Sequence, residues 1–432
     1  MRVYKFGGTS VQDAEGVRNV ANILQQESNT NLMIVVSAMG KTTNALEQVV
    51  NDYYSGGAPS LEGVKKFHLD ILDALFEADD AIYNEVNNLF VEIEWVIEDT
   101  PRIKAFVQLG EFLYKFTKTR SGEEHELELA IKRASVYNGW FTPDNVRKSI
   151  AALMEMLKEE NLTSWVSNYE LNGRQRVAII MAGNIPLVGF HDLLSVLISG
   201  HTAVIKMSSD DNQMLPIILD ELKSIEPAFS DKICFAEEKL ENFDAVIATG
   251  SNNSSRYFEH YFGKYPHIIR KSRSSVAIID GNESEEELGG LANDVFQYFG
   301  LGCRSVSKVY IPKDYDLNHL FNAFFVHKDV VENKKYGNNY DYNKAIYLMG
   351  SNELIENGFL MMREDTSLNS PVSVLHYEYY DDLDLVHRLV ADHQEQIQCV
   401  TGKGFIPFGK TQCPALDDYA DGVDTMAFLQ TL

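Results

Sequence analysis

Short apolar runs alternate along the chain with stretches whose apolar positions recur every three or four residues, and the two patterns separate strands from helices. Arg2 to Phe6 reads as a strand running into Gly7-Gly8-Thr9-Ser10. A helical pattern follows from about Asp13 to Gln26, then a buried-type strand at Leu32 to Ser37. Residues 66 to 99 read as helical, with Ile82, Val86, Leu89, Phe90, Ile93, Val96 and Ile97 on one apolar stripe. Asp99-Thr100-Pro101 is a stop signal, and a differently organised stretch begins there. Residues 101 to 170 are mainly helical, broken by a loop at Asn138 to Pro143. Thr142 and Pro143 supply the N-cap and first turn of a helix running to about Glu159. Further apolar runs sit at Arg176 to Met181, Thr202 to Met207, Phe243 to Thr249, Ser275 to Asp280 and Ser305 to Ile311, with helical patterns between them, as at 212–224 and 284–299. This alternation predicts an α/β fold with doubly wound, mostly parallel sheets. Tyr377 to Asp384, acidic and aromatic, reads as a strand end and solvated turn.

Composition narrows the class. The 432 residues suffice for about three domains and are 45% hydrophobic, which excludes a disordered or low-complexity chain. The formal charge of −25 disfavours nonspecific nucleic-acid binding but leaves room for a small anionic cofactor at a locally basic site. Residues 1–99 carry 6 basic and 16 acidic residues (net −10), leaving −15 for the remainder, so charge does not divide the chain. Cys234, Cys303, Cys399 and Cys413 lie far apart, with neither C-x-x-C nor metal-ligand spacing. With no apolar signal core and no apolar run of about 18 residues, a cytoplasmic location is expected.

Four loops at predicted strand ends carry candidate chemistry. Ala182-Gly-Asn-Ile-Pro186 places the Asn184 amide at a strand's carboxyl end, the edge where α/β proteins bind ligands. The next strand ends in Lys206-Met-Ser208, a cation with a hydroxyl, and a third ends in Thr249-Gly250-Ser251 before a helix start suited to phosphate. Gly300-Leu-Gly-Cys303 puts a thiol on a turn between helix and strand. Each has an ordinary reading: a core cysteine, a turn-forming Asn, a surface lysine, a capped turn. Their order along successive strand ends favours one site with an amide donor, a ribose and phosphate grip, and a nucleophile.

With these residues, positions 100–432 resemble acyl-CoA reductases of the LuxC type, within the aldehyde dehydrogenase superfamily. The resemblance implies an aldehyde dehydrogenase-like fold, with Asn184 as oxyanion donor and Cys303 as catalytic thiol. Lys206 and Ser208 would contact the adenosine ribose, and Thr249, Gly250 and Ser251 the cofactor diphosphate. It implies attack of Cys303 on an acyl-CoA thioester, then hydride transfer from NADPH and release of an aldehyde. Aldehyde-oxidising members use a Glu in E-L-G-G to activate water. Glu287-Leu-Gly-Gly290 spells that motif too close to Cys303 and reads as an acidic helix start, while Arg270 to Ser275 occupies the expected place without a carboxylate. The basic run Arg270 to Arg273 is either a phosphate contact or a solvated strand end. Leu368-Asn-Ser-Pro371 is the nearest candidate for the missing nicotinamide-ribose Glu. His191, His201 and His260 read as structural. The stretches Gly404 to Gln412 and Asp418 to Gly422 resemble the family's C-terminus.

The opening resembles another family. Lys5-Phe-Gly-Gly-Thr-Ser10 and Val35 to Asn44 are similar to the start of an aspartokinase, in which Lys5, Gly7, Gly8 and Ser10 would face ATP phosphates. This resemblance ends near residue 99, so the ATP site is expected to be vestigial. Gly110-Glu111 fits the reductase start, Ala105 to Leu113. The implied division is 1–99 kinase-like, 100–271 NADP-binding, 272–400 catalytic and 401–432 C-terminal. A homo-oligomer acting on acyl-CoA is expected. Aspartate kinase, whole or as a non-catalytic fragment, and an inactive scaffold are the alternatives.

Overall fold

A computed structural model describes residues 2–27, 31–54, 60–77, 80–94, 100–118, 125–236, 239–350 and 353–432. The chain divides into two compact units, Met1–Pro101 and Arg102–Leu432.

In the first unit, β1 (Arg2–Phe6) pairs in parallel with β2 (Leu32–Val36), Arg2 opposite Leu32 and Phe6 opposite Val36. Asp13 caps the intervening helix Ala14–Gln25, its carboxylate accepting the Gly16 N–H at 2.8 Å. Phe6, Val11 and Val20 make one small core and Val49, Leu61, Val64 and Phe90 another. The expectation of a buried β2 is not met: Met33 to Val36 are 42–52% exposed. The sheet of the described residues has only two strands, so β2 has no second neighbour and an apolar run suited to a sheet interior faces solvent. The expected helix over 66–99 is two helices, Glu62–Leu75 and Ile82–Glu94, because Phe76 turns to extended backbone. Val96 and Ile97 lie outside the described residues. Pro101 marks the division between the two units, as expected, and occupies the first turn of the helix Thr100–Tyr114, where a missing N–H costs nothing.

The second unit holds two sheets. The first has order β5-β4-β3-β6-β7, all parallel, formed by β3 (Arg176–Ile180), β4 (Thr202–Lys206), β5 (Ile233–Phe235), β6 (Ala245–Thr249) and β7 (His267–Arg270). Its strands are apolar throughout because both faces are covered. Val177 and Ile179 pack into the large core built on helices such as Pro143–Met156 and Phe190–Ile198, while Ala178, Val246 and Ala248 face Phe258 and Phe262. Thr142 caps Pro143–Met156, accepting the Asn145 N–H at 3.3 Å; the helix ends at Met156 and a new one runs Glu159–Val166.

Three residues separate β7 from the first strand of the second sheet. It comprises β8 (Ser274–Ile278), β9 (Val306–Pro312), β10 (Ile355–Glu356), β11 (Met361–Glu364), β12 (Val374–Tyr380) and β13 (Ile397–Gly402). Its order is β10-β11-β12-β9-β8-β13, parallel except for β10 against β11. Tyr377 to Tyr380 form the end of β12, as expected, with Tyr377 buried, and the exposed turn at Asp381 and Asp382 leads into the helix Leu383–Asp392, which Asp382 caps.

Glu287 closes a capping box with Ser284 at the start of the helix Glu285–Phe296. Gly290, on the same helix, touches the 404–412 segment: a Cβ there would lie 2.8 Å from the Phe408 carbonyl carbon and oxygen. Asp294, one turn on, accepts the N–H groups of Gly409 (2.6 Å) and Thr411 (3.1 Å). The E-L-G-G sequence is thus explained by packing. Gly290→Ala is expected to destabilise the unit by about 1–3 kcal/mol, read as a lowered thermal midpoint, because backbone rather than a flexible side chain would have to move.

Candidate active site

The parallel register aligns three strand ends: Ile180 of β3 lies opposite Lys206 of β4 and Ala248 of β6. The loops leaving these ends meet the Gly300–Ser305 turn around a pocket of about 740 Å³. Asn184, Thr249, Gly250, Ser251 and Cys303 all line it, so these predicted residues from three separate loops share one cleft. Lys206 and Ser208 are not on its lining. Their turn lies behind Gly183, whose absent side chain makes room: a Cβ would sit 2.5 Å from Ser208 Oγ.

The thiol-bearing turn is unusual. Tyr298 (φ 55°), Phe299 (φ 59°) and Gly300 (φ 74°) are successive left-handed residues, and two of them are aromatic. Such backbone costs about 1–2 kcal/mol per non-glycine residue and persists only where packing holds it. Phe299 packs at a tilt against Trp140, ring centres 5.4 Å apart, and against Tyr336. Asn184 Nδ2 donates to the Leu301 carbonyl at 2.8 Å, which ties the amide loop to the thiol loop two residues before Cys303. Below the thiol, Ser275 Oγ donates to the Cys303 carbonyl at 2.8 Å and accepts the Cys399 N–H at 3.2 Å.

Cys303 is exposed at the cleft surface, yet protein surrounds its sulfur closely enough that burial pushes the thiol pKa up. Arg304, next in sequence, opposes this shift; Asp421 adds to it and Arg270 opposes it more weakly. The thiolate therefore gains population only as pH rises past the usual cysteine range of about 8.5. Alkylation of Cys303 by iodoacetamide, located by peptide mapping, is expected to accelerate through pH 9 without levelling off below it.

The basic run is not a free anion site. Arg270 is buried and paired with Asp192, and it donates to Thr425 Oγ1 at 2.9 Å. Lys271 Nζ is 2.9 Å from Glu259 and Arg273 Nε 3.2 Å from Asp421. Arg304 pairs with Asp418 at 2.5 Å. Three carboxylates on the lining (Asp192, Asp418 and Asp421) are thus tied to arginines. Asn369, Ser370 and Pro371 reach the same pocket and contribute no carboxylate.

Ser251 caps the helix Asn252–Phe262, accepting the Ser254 N–H at 3.2 Å, and Gly250 is held tight, with room for a Cβ only 2.9 Å from Ser254 and Phe258. His191 hydrogen-bonds the Leu416 carbonyl (2.9 Å) and His201 bridges Gln175 N–H (3.1 Å) and Leu429 carbonyl (3.2 Å), so both are held within the fold. His260 stacks edge-on against Tyr261. In the first unit, Gly7, Gly8 and Ser10 form a tight turn after β1 (Ser10 N–H to Gly7 carbonyl, 2.9 Å). That turn touches the second kinase-like motif through Gly40 N–H to Gly8 carbonyl, 3.1 Å. Lys5 lies on β1 opposite Val35.

Ser149 and Arg304 line the cleft, and Asp211 and Ser275 bond to the lining residues Leu187 and Cys303, all without a sequence signal of their own. Each is a single polar residue whose partner lies in another element.

Residues 110–321 match the acyl-CoA reductase (LuxC) family and residues 1–166 the amino acid kinase family. Both matches include residues 110–166, whose described apolar side chains, such as Phe112, Phe116, Leu127 and Ile150, pack into the second unit's core. Aspartokinase 2 of Arabidopsis thaliana is 39% identical over 64 residues, 15% of this chain and 12% of that protein. The long-chain acyl-protein thioester reductase of Vibrio harveyi is 21% identical over 154 residues, 32% of each chain. The chain thus spans between about a tenth and a third of these curated relatives. Among solved structures, a Mycobacterium tuberculosis aldehyde dehydrogenase complexed with NAD+ superposes with a TM-score of 0.51 at 13% identity, covering 67% of this chain and 70% of that one. Residues 1–99 therefore resemble the N-terminus of aspartokinases, and residues 100–432 resemble acyl-CoA reductases of the LuxC type on an aldehyde dehydrogenase fold.

Proposed function

We propose that residues 100–432 reduce an acyl-CoA thioester to an aldehyde through a thioacyl group on Cys303. The observation that carries this reading is the shared cleft, in which the Asn184 amide is bonded 2.8 Å from the Leu301 carbonyl beside the Cys303 thiol. Residues 100–271 would bind the cofactor, 272–400 would carry the thiol and 401–432 would close the unit, the assembly being a homo-oligomer.

Cys303, once ionised, attacks the thioester carbonyl carbon; the carbon–sulfur bond to coenzyme A breaks and coenzyme A departs with the bonding pair. One Asn184 amide hydrogen is engaged by Leu301, which fixes the plane of the group and leaves the other for the developing oxyanion. Arg304 favours the attacking thiolate. The arginine-paired carboxylates Asp192, Asp418 and Asp421 are poor bases for water, which disfavours hydrolysis of the thioacyl group.

The residues fit a nicotinamide dinucleotide. Thr249 ends β6, Gly250 leaves the backbone bare, and Ser251 opens an eleven-residue helix whose N-terminus favours a diphosphate. An NAD+-bound fold neighbour supports the same class. When bound, the reduced cofactor supplies hydride to the acyl carbon. NADPH is the proposed form, because Lys271 is the most exposed cation of the basic run and its surface pairing with Glu259 is weak enough for a phosphate to displace.

The test is oxidation of NADPH and of NADH with octanoyl-CoA and palmitoyl-CoA, with aldehyde and free coenzyme A measured together. Equimolar aldehyde and coenzyme A with either cofactor support the reading. Their absence, or binding of ATP with phosphorylation of aspartate, contradicts it.

A further inference from the structure

We infer that Asp211 is a positioning residue for the Asn184 turn, a role that rests on the reductase reading. The turn Asn184-Ile-Pro-Leu187 ends in strained backbone: Leu187 has φ 58°, a left-handed conformation that a branched side chain resists. Two groups from other elements hold it. Ser149, on the helix Pro143–Met156, donates from Oγ to the Pro186 carbonyl at 2.6 Å, and the Leu187 N–H donates to Asp211 Oδ2 at 2.7 Å. Asp211 belongs to the loop that leaves β4 beside the Lys206–Ser208 turn, so it links the two loops.

The usual task of an aspartate just before a helix is to cap it. Asp211 precedes the helix Met214–Ile225, yet that helix has Gln213 at its N-cap and no side-chain cap. The carboxylate reaches across to Leu187 instead, and its other oxygen, Oδ1, is buried without a hydrogen-bond partner. Burial pushes the carboxyl pKa up to about 6, opposed by the Leu187 N–H. Around it, its own N–H donates to the Ser208 carbonyl, Asn138 Nδ2 donates to the carbonyl of Asp210, itself a neighbouring carboxylate residue, and Lys335 Nζ donates to Asn138 Oδ1 at 3.3 Å.

The sign of this shift argues against a stabilising purpose. A carboxyl whose pKa is higher folded than unfolded favours the fold when protonated, and this contribution is lost as pH rises from the unfolded value through 6. At neutral pH the ionised Asp211 is therefore maintained against stability. Its return is a charged, stronger acceptor for the Leu187 N–H. Protonation weakens that bond and loosens the turn bearing Asn184.

The test compares the full-length protein with Asp211→Asn and Asp211→Leu. Acylation of Cys303 by octanoyl-CoA is followed by mass between pH 5 and 8, with hydrogen exchange of the 182–190 segment alongside. Asp211→Leu is expected to acylate at least about tenfold more slowly, with half-saturation changed less than about twofold, and to lose protection in that segment. Asp211→Asn keeps a neutral acceptor. It should stay within about threefold of the unmodified protein at pH 7.5 and melt no lower, and below pH 6 it should show only the fall set by the Cys303 thiolate, without the additional acid limb of the unmodified protein. If Asp211→Leu does not fold, the limb in Asp211→Asn decides. An unchanged limb in Asp211→Asn, or unmodified rates and protection in Asp211→Leu, overturns the positioning role while the reductase reading stands. Failure of the unmodified protein to acylate at any pH overturns both.

Discussion

Cys303→Ser is expected to remove thioester reduction almost completely, by at least about a thousandfold in kcat/KM. A serine hydroxyl is a far weaker nucleophile than a thiolate, and three of the lining carboxylates, Asp192, Asp418 and Asp421, are engaged with arginines and disfavoured as bases for it. The burial that raises the thiol pKa would raise that of a hydroxyl as well. The substitution should leave the fold intact. Cys303 is exposed, and Ser275 anchors the backbone carbonyl of residue 303 rather than its side chain. Cofactor binding by fluorescence and the thermal midpoint should therefore match the unmodified protein while aldehyde formation disappears. Retention of more than about a tenth of the activity would mean that another group is the nucleophile.

Asn184→Ala is expected to lower kcat by about 10²–10³-fold, roughly 2.7–4 kcal/mol of transition-state stabilisation, with a smaller change in KM. The amide has two jobs, and they are separable. Losing the bond to Leu301 releases a carbonyl at an exposed turn, a loss of about 0.5–1.5 kcal/mol in stability. Losing the second N–H removes the oxyanion donor. Asn184→Asp distinguishes the two from simple truncation, because a carboxylate repels both the Leu301 carbonyl and the oxyanion and should be slower than alanine. Steady-state kinetics beside denaturant unfolding read the two effects independently.

The strand ends of the second unit were legible because their signal is local. Runs such as Val177-Ala-Ile-Ile180 and Ala245-Val-Ile-Ala248 are apolar throughout, as a strand covered on both faces must be. In a parallel sheet the ends of neighbouring strands fall at one edge, so the order Asn184, Lys206, Thr249 along the chain carried most of the route to the cleft. The same logic failed for Leu32–Val36: an apolar run identifies a strand, but whether neighbours cover it depends on the rest of the sheet, and among the described residues β2 has a single partner. It failed also for Arg270 to Arg273, whose acidic partners Asp192, Glu259 and Asp421 stand on three other elements. Glu287 shows the converse, a motif that spells a known site and turns out to close a helix. The contacts that hold the cleft in shape (Ser149 to Pro186, Asp211 to Leu187, Ser275 to Cys303) join single polar residues with no period, and a sequence gives no sign of them.

These contacts converge on two loops, one bearing an amide and one a thiol, each with left-handed backbone that its neighbours must hold. Strain of that kind is expected where a reactive geometry is set before substrate arrives. The account's central claim is that the Cys303 thiol takes an acyl group from a thioester. The most direct measurement is the mass of the intact protein, and of its Cys303 peptide, after mixing with palmitoyl-CoA in the absence of reduced cofactor. The account predicts one acyl group per chain, located on Cys303, discharged as aldehyde when reduced cofactor is added, and absent from Cys303→Ser. An unmodified protein, or an acyl group carried equally by Cys303→Ser, would contradict it.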